Sequence, residues 1–360
     1  MTDRAILITG FPGFIGGRLI GRLLEDDPDA TVVALVEPHM VDRARASAAK
    51  IDPKRIEILP GDITDPKLGL DRAAYDRLAA RTTAVHHLAA VYDLAVPAAV
   101  AERVNVAGTQ HVIAFCRAAP GLERHNYVST AYVAGWRSGR VMEADLAEGQ
   151  EHKNHYESTK FAAEVAVRGS MDEVPTTIYR PAIVVGDSRT GETQKFDGPY
   201  YSLRMMSLYK RLHQRVPQVG NGASLFNVVP VDFVVEAIAA GARDPEASGA
   251  TLHLTDPDPL TSTALVRLLA DEYGGVKMGL KIPPAMVERS LRVAPIRKAL
   301  SGAPPESIVY LNHPVRFDTT QATALLARHG LTAPRFPDYV GPVVRFFKEH
   351  ADDPALAPAH

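Results

Sequence analysis

Residues 5–16 read AILITGFPGFIG, an apolar run that leads directly into three closely spaced glycines. The run 5–9 is short and rich in apolar side chains, which is typical of a buried β-strand, and residues 13–24 carry apolar side chains at helical spacing. Glycines at such a strand–turn–helix let the backbone approach a pyrophosphate, whose charge is favoured at the start of a helix. The stretch therefore predicts a dinucleotide-binding turn. The residues assigned to it are Gly10, Phe11, Gly13, Phe14, Ile15 and Gly16.

The first half of the chain repeats this alternation of short apolar runs and helical patterns. Further strands are predicted at residues 31–36, 56–59, 84–88, 126–129 and 176–180, and a later one at 252–255. Because these strands are largely apolar, we expect a parallel sheet covered by helices on both faces. The predicted fold class is α/β, a Rossmann-type, doubly wound and mostly parallel sheet with a smaller C-terminal lobe.

The pattern changes after about residue 186, where glycine, aspartate, tyrosine and arginine become frequent. We expect residues 1–185 to form the dinucleotide-binding domain, with residues 226–255 returning to it. Residues 186–225, predicted as a long loop with one helix near 201–213, and residues 256–360, mostly helical with proline breaks, are expected to form the substrate-binding lobe.

Composition and charge exclude some classes of protein. The chain has 360 residues and a net charge of −2, with no long run of Lys or Arg, so nucleic acid is not an expected partner. No apolar run is long enough to predict a transmembrane helix, and the N-terminus lacks the pattern of a signal peptide. The single cysteine, Cys116, has no internal partner for a disulfide. These features predict a cytoplasmic protein.

A tyrosine and a lysine four residues apart, Tyr156 and Lys160, stand at the start of a helical pattern that continues over residues 161–167. Side chains four apart are neighbours on a helix. A positive neighbour favours phenolate, so Lys160 is expected to lower the pKa of Tyr156 and make it a usable general acid or base. The same spacing recurs at Tyr273 and Lys277, but the two glycines between them argue against a helix there.

Two hydroxyl side chains, Ser129 and Thr130, stand at the end of the predicted strand 126–129. The carboxyl ends of strands face the ligand crevice in open α/β sheets, so one hydroxyl can hydrogen-bond a reacting oxygen beside Tyr156. An equally good interpretation is a pair of hydroxyls that satisfy the backbone groups of a turn.

In this order, the motifs resemble the extended short-chain dehydrogenase/reductase family over roughly half of the chain. The resemblance implies a nicotinamide cofactor. It assigns catalytic roles to four residues, with Thr130 rather than Ser129 as the hydroxyl: Thr130, Tyr156, Lys160 and Asn105. Beyond the glycine turn, it places beside the cofactor Asp62, Ile63, Leu88, Ala89, Ala90, Ser129, Tyr156, Lys160, Pro181, Ile183 and Val184.

A narrower resemblance concerns residues 129–133 (STAYV) and 179–188 (YRPAIVVGDS), which are similar to the branch that contains fatty acyl-CoA reductases and thioester reductase domains. This resemblance implies the reduction of an acyl thioester, carried on CoA or on a carrier protein, to an aldehyde and in some cases on to the alcohol. It also implies NADPH as the usual cofactor. A homodimer formed through helices of the Rossmann domain is a further implication of the family resemblance.

One departure from that branch affects the choice of cofactor. Glu37 stands at the end of the second predicted strand, where the branch often carries a basic residue. An acid there favours the free 2′-hydroxyl of NAD and repels the 2′-phosphate of NADP. Arg43 and Arg45 follow closely and are suited to bind a phosphate. NADPH is favoured by the resemblance, and NADH stays open because of Glu37.

Three other functions stay open. A dehydrogenase or ketoreductase for hydrophobic ketones or hydroxysteroids uses the same residues, and an NAD-retaining sugar-nucleotide epimerase shares the fold. A non-catalytic dinucleotide sensor is opposed by the intact trio of Thr130, Tyr156 and Lys160. No metal site is predicted, because the histidines at 86, 87, 152 and 155 lack a nearby thiol or carboxylate to complete one.

Overall fold

The computed structural model describes residues 4–93, 96–220, 222–293, 297 and 302–357. Its strands are β1 (Ala5–Thr9), β2 (Thr31–Val36), β3 (Ile56–Pro60), β4 (Thr82–His87), β5 (Arg124–Val128), β6 (Gly139–Val141), β7 (Thr176–Pro181), β8 (Ile183–Val185), β9 (Val216–Val219), β10 (Val228–Pro230), β11 (Thr251–Leu254), β12 (Met278–Ile282) and β13 (Val315–Phe317).

The helices cover the sheet and build most of the C-terminal lobe. They are α1 (Phe14–Asp26), α2 (Val41–Ala48), α3 (Arg72–Arg81), α4 (Ala98–Ala101), α5 (Gly108–Ala118), α6 (His155–Arg168), α7 (Tyr200–Arg211), α8 (Val231–Arg243), α9 (Ser262–Tyr273), α10 (Pro284–Leu291), α11 (Thr320–Ala327) and α12 (Phe336–His350). A π-helical turn, Glu102–Ala107, joins α4 to α5, and a 3-10 helix spans Pro305–Asn312.

The main sheet has seven strands in the order β11-β7-β5-β4-β1-β2-β3, and its pairings are parallel. This arrangement confirms the predicted Rossmann-type fold, including the late strand that returns to the sheet. The strand order reverses at β1, which pairs with β2 on one side and with β4 on the other. A crevice for ligands opens at such a switch point, beyond the carboxyl ends of the strands.

Both faces of the sheet are covered by apolar side chains, as the apolar strands predicted. On one face α1 and α8 pack with residues such as Leu19 and Ile238, both fully buried. On the other face α3 and α5 pack with residues such as Leu78 and Phe115. Burial on both faces is what makes a parallel sheet stable.

The C-terminal lobe has a core of its own, in which α7, α9 and α12 pack around buried side chains such as Leu203, Leu269 and Phe347. Sequence reasoning predicted mostly helices after residue 257 and missed β12 and β13. These strands have three to five residues and pair with β9 and β6, far away in sequence, so no local pattern reveals them.

One helix of the predicted lobe contributes to the Rossmann core. Leu325 and Leu326 of α11 are buried in the same cluster as residues of α8. The proposed limits of the two domains remain a prediction.

Within the described part of the chain, no helix combines the length and the apolar character that a membrane crossing requires.

A buried ion pair joins α6 to the main sheet. Arg180 of β7 and Glu164 of α6 are almost fully buried, and the guanidinium donates to the carboxylate with a shortest distance of 2.6 Å. Burial alone would raise the pKa of Glu164, but the charge of Arg180 and hydrogen bonds from Arg180 and Ser129 outweigh it and lower that pKa. The charged form of Glu164 in the folded protein therefore depends on Arg180.

The variant Glu164→Gln is expected to lower the free energy of unfolding by about 3–5 kcal/mol, because it leaves the guanidinium of Arg180 buried without its counter-charge. Chemical denaturation at neutral pH measures this change. Glu173→Gln is the matched control, since Glu173 pairs with Arg117 at the surface, and about 0.5 kcal/mol or less is expected there. Equal effects of the two variants would contradict the prediction.

Candidate active site

The glycine turn after β1 admits backbone but no side chain at two positions. Gly10 has a φ of +88°, and a Cβ on it would lie 2.8 Å from the backbone nitrogen of Ala89. A Cβ on Gly13 would lie 2.6 Å from the carbonyl oxygen of Gly10. Gly13 is the N-cap of α1 and, as a glycine, provides no side-chain cap for the first N–H groups of this helix. Its first N–H groups are therefore available to an anion such as a pyrophosphate.

A cavity of about 840 Å³ begins at this turn and extends to the C-terminal lobe. Its wall contains most of the residues predicted to bind the cofactor: Gly10, Phe11, Gly13, Phe14, Ile15, Gly16, Glu37, Arg43, Ile63, Leu88, Ala89, Ala90, Ser129, Tyr156, Lys160, Pro181, Ile183 and Val184. Asp62 does not belong to this wall, and its carboxylate accepts a hydrogen bond of 2.8 Å from the backbone of Thr64.

Thr130 and Tyr156 come together on the wall of the cavity. Thr130 is the second residue after the end of β5. Tyr156 is the second residue of α6, whose N-cap Asn154 accepts from the backbone N–H of Glu157 at 3.0 Å. Burial raises the pKa of the Tyr156 phenol, and a side-chain hydrogen bond with Thr130 offsets part of that rise. The ring of Tyr92 packs edge-on against that of Tyr156, with the centroids 5.2 Å apart.

Lys160 lies one helical turn further along α6 and is 3% exposed. Its Nζ donates to the phenol oxygen of Tyr127 at 3.0 Å and to the carbonyl oxygen of Val128 at 2.8 Å. Burial lowers the pKa of Lys160 to about 7, although the charge of Glu164 opposes the shift. Lys160 can therefore exchange a proton near neutral pH.

This arrangement differs from the predicted effect of Lys160 on Tyr156. The expectation was a lowered pKa for the phenol, whereas burial raises the pKa of Tyr156. The cause is desolvation, which disfavours the phenolate, while the ammonium of Lys160 is held by Tyr127 and Val128. Sequence spacing placed both groups on one helix face but did not reveal how deeply that face is buried.

Asn105 lies behind the cavity wall, in the π-helical turn between α4 and α5. Its Oδ1 accepts from the backbone N–H of Val91 at 2.9 Å, and its Nδ2 donates to Thr159 Oγ1 at 3.0 Å. Thr159 precedes Lys160 on α6. The contacts of Asn105 thus tie α6 to the loop after β4, and its predicted catalytic role remains a prediction.

Ser129 and Thr130 have different partners. Ser129 Oγ donates to the carboxylate of the buried Glu164 at 2.6 Å, away from Tyr156. Thr130 lines the same cavity wall as Tyr156, and its hydroxyl lowers the pKa of the Tyr156 phenol. This geometry is consistent with the choice of Thr130 over Ser129.

The end of the cavity beyond β2 carries charges of both signs. Glu37 and Arg43 both line it, and Glu37 lies 3.2 Å from the Nδ1 of His39. Arg45, the second arginine considered for a phosphate, approaches Asp42 at 3.8 Å instead. Arg43 is therefore the better placed of the two.

Several cavity residues were not predicted from the sequence. They are Tyr92, Tyr132, Asp197, Tyr201 and Tyr310. Tyr132 lies in the motif at 129–133, two residues after Thr130, and this motif could have identified it. The others come from loops or from the lobe, where no motif marks them.

The histidines of β4 are packed inside the protein. His86 and His87 are each 1% exposed. His87 is hydrogen-bonded between Thr9 Oγ1 at 2.7 Å and Thr109 Oγ1 at 3.0 Å, and burial keeps its pKa well below the usual value.

A parallel sheet with a glycine turn at its switch point, together with a threonine, a tyrosine and a lysine at one cavity, defines the extended short-chain dehydrogenase/reductase class of nicotinamide-dependent oxidoreductases. An NAD-binding family model, described as "Male sterility protein", matches residues 8–238, well over half of the chain. The chain belongs to this family, as the resemblance implied.

The relatives that match this chain are larger proteins, of which the chain spans only a part. The glycine betaine reductase ATRR of Emericella nidulans is 27% identical over 74% of this chain, which spans 22% of that protein. The L-2-aminoadipate reductase large subunit of Penicillium chrysogenum is 28% identical over 71% of this chain, which spans 19% of it. Among solved structures, the terminal R domain from the myxalamid PKS-NRPS biosynthetic pathway matches with a TM-score of 0.81 and 25% identity, covering 98% of this chain and 92% of that one.

The variant Gly13→Ala is expected to weaken the binding of a nicotinamide dinucleotide roughly tenfold or more, about 1.4 kcal/mol, because the new Cβ would force the turn open against the Gly10 carbonyl. Fluorescence titration with the reduced cofactor measures the change. Gly17→Ala is the control, since its Cβ would meet nothing closer than 3.9 Å, and its affinity should stay within about twofold of the wild type. Unchanged affinity in Gly13→Ala would show that the cofactor does not sit on this turn.

Proposed function

We propose that this protein reduces an acyl thioester, or the aldehyde derived from it, with hydride from a nicotinamide cofactor. The observation that carries the proposal is that Thr130, Tyr156 and Lys160 all line the one cavity that starts at the glycine turn. The match to the R domain along almost the whole chain and the likeness to an aminoadipate reductase support the thioester as substrate.

The turn fits a pyrophosphate, because a Cβ at Gly10 or Gly13 would fill the space that such a group needs to approach the backbone. When bound, the reduced cofactor supplies the hydride for the carbonyl carbon. Gly10, Gly13 and the start of α1 would hold the pyrophosphate, and Ile63 would lie beside the adenine. Pro181, Ile183 and Val184 would lie along the nicotinamide.

Tyr156 is the proposed proton donor. Its raised pKa keeps the phenol protonated at neutral pH, so it can donate a proton to the carbonyl oxygen as negative charge develops there. The Thr130 hydroxyl would donate a hydrogen bond to the same oxygen. With a thioester, the resulting hemithioacetal releases its thiol and leaves an aldehyde.

Lys160 is the proposed proton reservoir beside Tyr156, with its Nζ held by the Tyr127 phenol and the Val128 carbonyl. Its pKa of about 7 means that the ammonium is protonated below neutral pH and readily gives up its proton around it. A protonated Lys160 also places a positive charge behind the reacting oxygen, which favours the negative charge that develops on it. Asn105 would support this role by fixing Thr159, the residue before Lys160.

The far part of the cavity suits an acyl chain. Phe226, Leu265, Val266, Ile308 and Leu311 line it with apolar surface. We propose an acyl chain bound to CoA or to a carrier protein as the substrate, and NADPH as the cofactor. The buried, unpaired Cys116 fits a reducing compartment, which supports the cytoplasm as the site of action. A homodimer is proposed from the family resemblance alone.

The first experiment follows the oxidation of NADPH and NADH with a panel of acyl-CoAs, the matching aldehydes and hydrophobic ketones. Thioester turnover is expected in the wild type, and Tyr156→Phe should lose on the order of 10²- to 10⁴-fold in kcat because the proton donor is gone. Cofactor binding should persist in this variant.

The panel also separates the alternatives. Turnover of ketones without thioesters would replace the proposal by a ketoreductase or alcohol dehydrogenase. NAD that stays bound through purification, with no net oxidation of added cofactor, would indicate an epimerase. Full activity of Tyr156→Phe would contradict the mechanism whatever the substrate.

The preference for NADPH is expected to depend on Arg43. Arg43→Ala should raise the dissociation constant of NADPH roughly 10- to 100-fold, the loss of one charged hydrogen bond, and leave that of NADH nearly unchanged. Calorimetric titration of both cofactors measures the two constants. Arg45→Ala is the matched control and should leave both unchanged. Tighter NADH binding by the wild type would show that Glu37 decides the choice.

A further inference from the structure

A tyrosine of the C-terminal lobe reaches the first turn of the helix that carries Tyr156. Tyr310 belongs to the 3-10 helix Pro305–Asn312, and its ring lines the cavity. Its hydroxyl donates to Glu157 Oε1 at 2.7 Å and accepts from Asn154 Nδ2 at 2.9 Å. Asn154 and Glu157 lie 156 and 153 residues away in sequence.

These contacts close a ring of hydrogen bonds around the start of α6. Asn154 Oδ1 accepts from the backbone N–H of Glu157, and Tyr310 joins the side chains of the same two residues. The Glu157 side chain is fully buried, and that of Lys153 is 1% exposed at 3.3 Å from it. Lys153 Nζ also lies 5.4 Å from the centre of the Tyr310 ring. Buried polar groups arranged in this way allow very little freedom of position.

Tyr156 lies between Asn154 and Glu157 in the chain, so the hydrogen bonds of these two residues hold the turn that carries it. Tyr310 also contacts the segment that carries Thr130. Its ring packs edge-on against Tyr132 with the centroids 5.1 Å apart. The backbone N–H of Tyr132 in turn donates to Thr130 Oγ1 at 3.3 Å. Tyr310 therefore contacts both elements that bring Thr130 and Tyr156 to one point of the cavity.

We propose that Tyr310 is a positioning residue of the proposed reaction: by bridging Asn154 and Glu157 it holds the first turn of α6 so that the Tyr156 phenol faces the carbonyl oxygen. The inference rests on the proposed function for its catalytic consequence. Its geometric part, the orientation of Tyr156, is a property of the protein alone and has its own test. A side chain that lines the cavity and is hydrogen-bonded to the catalytic helix also makes the site depend on the lobe being in place.

The test compares Tyr310→Phe with Tyr339→Phe. Tyr310→Phe keeps the ring against Tyr132 and removes only the hydroxyl. Tyr339→Phe also removes one buried phenol hydrogen bond of the lobe, to the Val228 carbonyl oxygen at 3.2 Å, away from the cavity. Each protein is labelled with [ζ-¹³C]tyrosine, and Tyr156→Phe assigns the Tyr156 signal. The thermal midpoint, cofactor affinity, kcat and KM are measured on the same samples with the carbonyl that the wild type reduces.

In Tyr310→Phe we expect a displaced Tyr156 signal and a kcat roughly 10- to 100-fold lower, since misplacing a catalytic group by about 1 Å has effects of this size. KM and cofactor affinity should stay within about twofold. In Tyr339→Phe the thermal midpoint should also fall, by less than in Tyr310→Phe because only one hydrogen bond is lost, while kcat and the Tyr156 signal stay unchanged. Glu157→Gln, which weakens the same contact, should lower kcat, and its effect should not add to that of Tyr310→Phe.

An unchanged Tyr156 signal in Tyr310→Phe would overturn the inference, and so would a loss of kcat no larger than that of Tyr339→Phe. A wild type that reduces no carbonyl of the panel would count against the proposed function, and the Tyr156 signal alone would then decide whether Tyr310 positions that phenol. If Tyr310→Phe does not fold, the same criteria apply to Glu157→Gln.

Discussion

Parallel pairing of β4, β5 and β7 determines the position of the candidate active site. The register sets His87 beside Tyr127 and Val128 beside Tyr179, so these strands end at one edge of the sheet. Parallel strands deliver all of their carboxyl ends to the same side, and the chain must leave the sheet there. Thr130 thus stands next to the strand segments that line the cofactor side of the cavity. The crossover helix α6 then lies over the same strands and brings Tyr156 to that edge.

The underside of α6 is more polar than packing alone requires. Glu157, Lys160 and Glu164 are all buried on this helix. Each has a partner on another element: the Tyr310 hydroxyl, the Val128 carbonyl and the Arg180 guanidinium, respectively. Apolar residues of similar volume would avoid the desolvation cost of these charges. What the charged groups provide is position, because a buried charge with fixed partners holds its helix in one register. These contacts lie on the buried side of α6, while Tyr156 and Lys160 also line the cavity.

Much of the fold, including the elements that carry the candidate site residues, followed from local patterns. The strands of the main sheet, the glycine turn and the helix that carries Tyr156 and Lys160 all depend on periodicity and on residue types within about fifteen positions, and such signals are visible in one sequence. The prediction that Lys160 lowers the pKa of Tyr156 was wrong, because the spacing of two residues says nothing about desolvation. The short strands β6 and β13 and the role of α11 in the main core were missed, since they depend on partners more than seventy residues away.

By itself the sequence determined the class of fold, the position of the dinucleotide turn and the pair of residues that face one side of α6, because turn geometry and helix period are local properties of the chain. Only the tertiary structure decided which partners Ser129 and Thr130 have, what holds Lys160 and how the C-terminal lobe is joined to α6. Ser129 and Thr130 are neighbours in the chain, yet one turns to Glu164 and the other to Tyr156. Tyr310 carries no motif at all. The role proposed for it rests on its packing against Tyr132 and on its hydrogen bond to the buried Glu157, and such distant contacts exist only once the chain has folded.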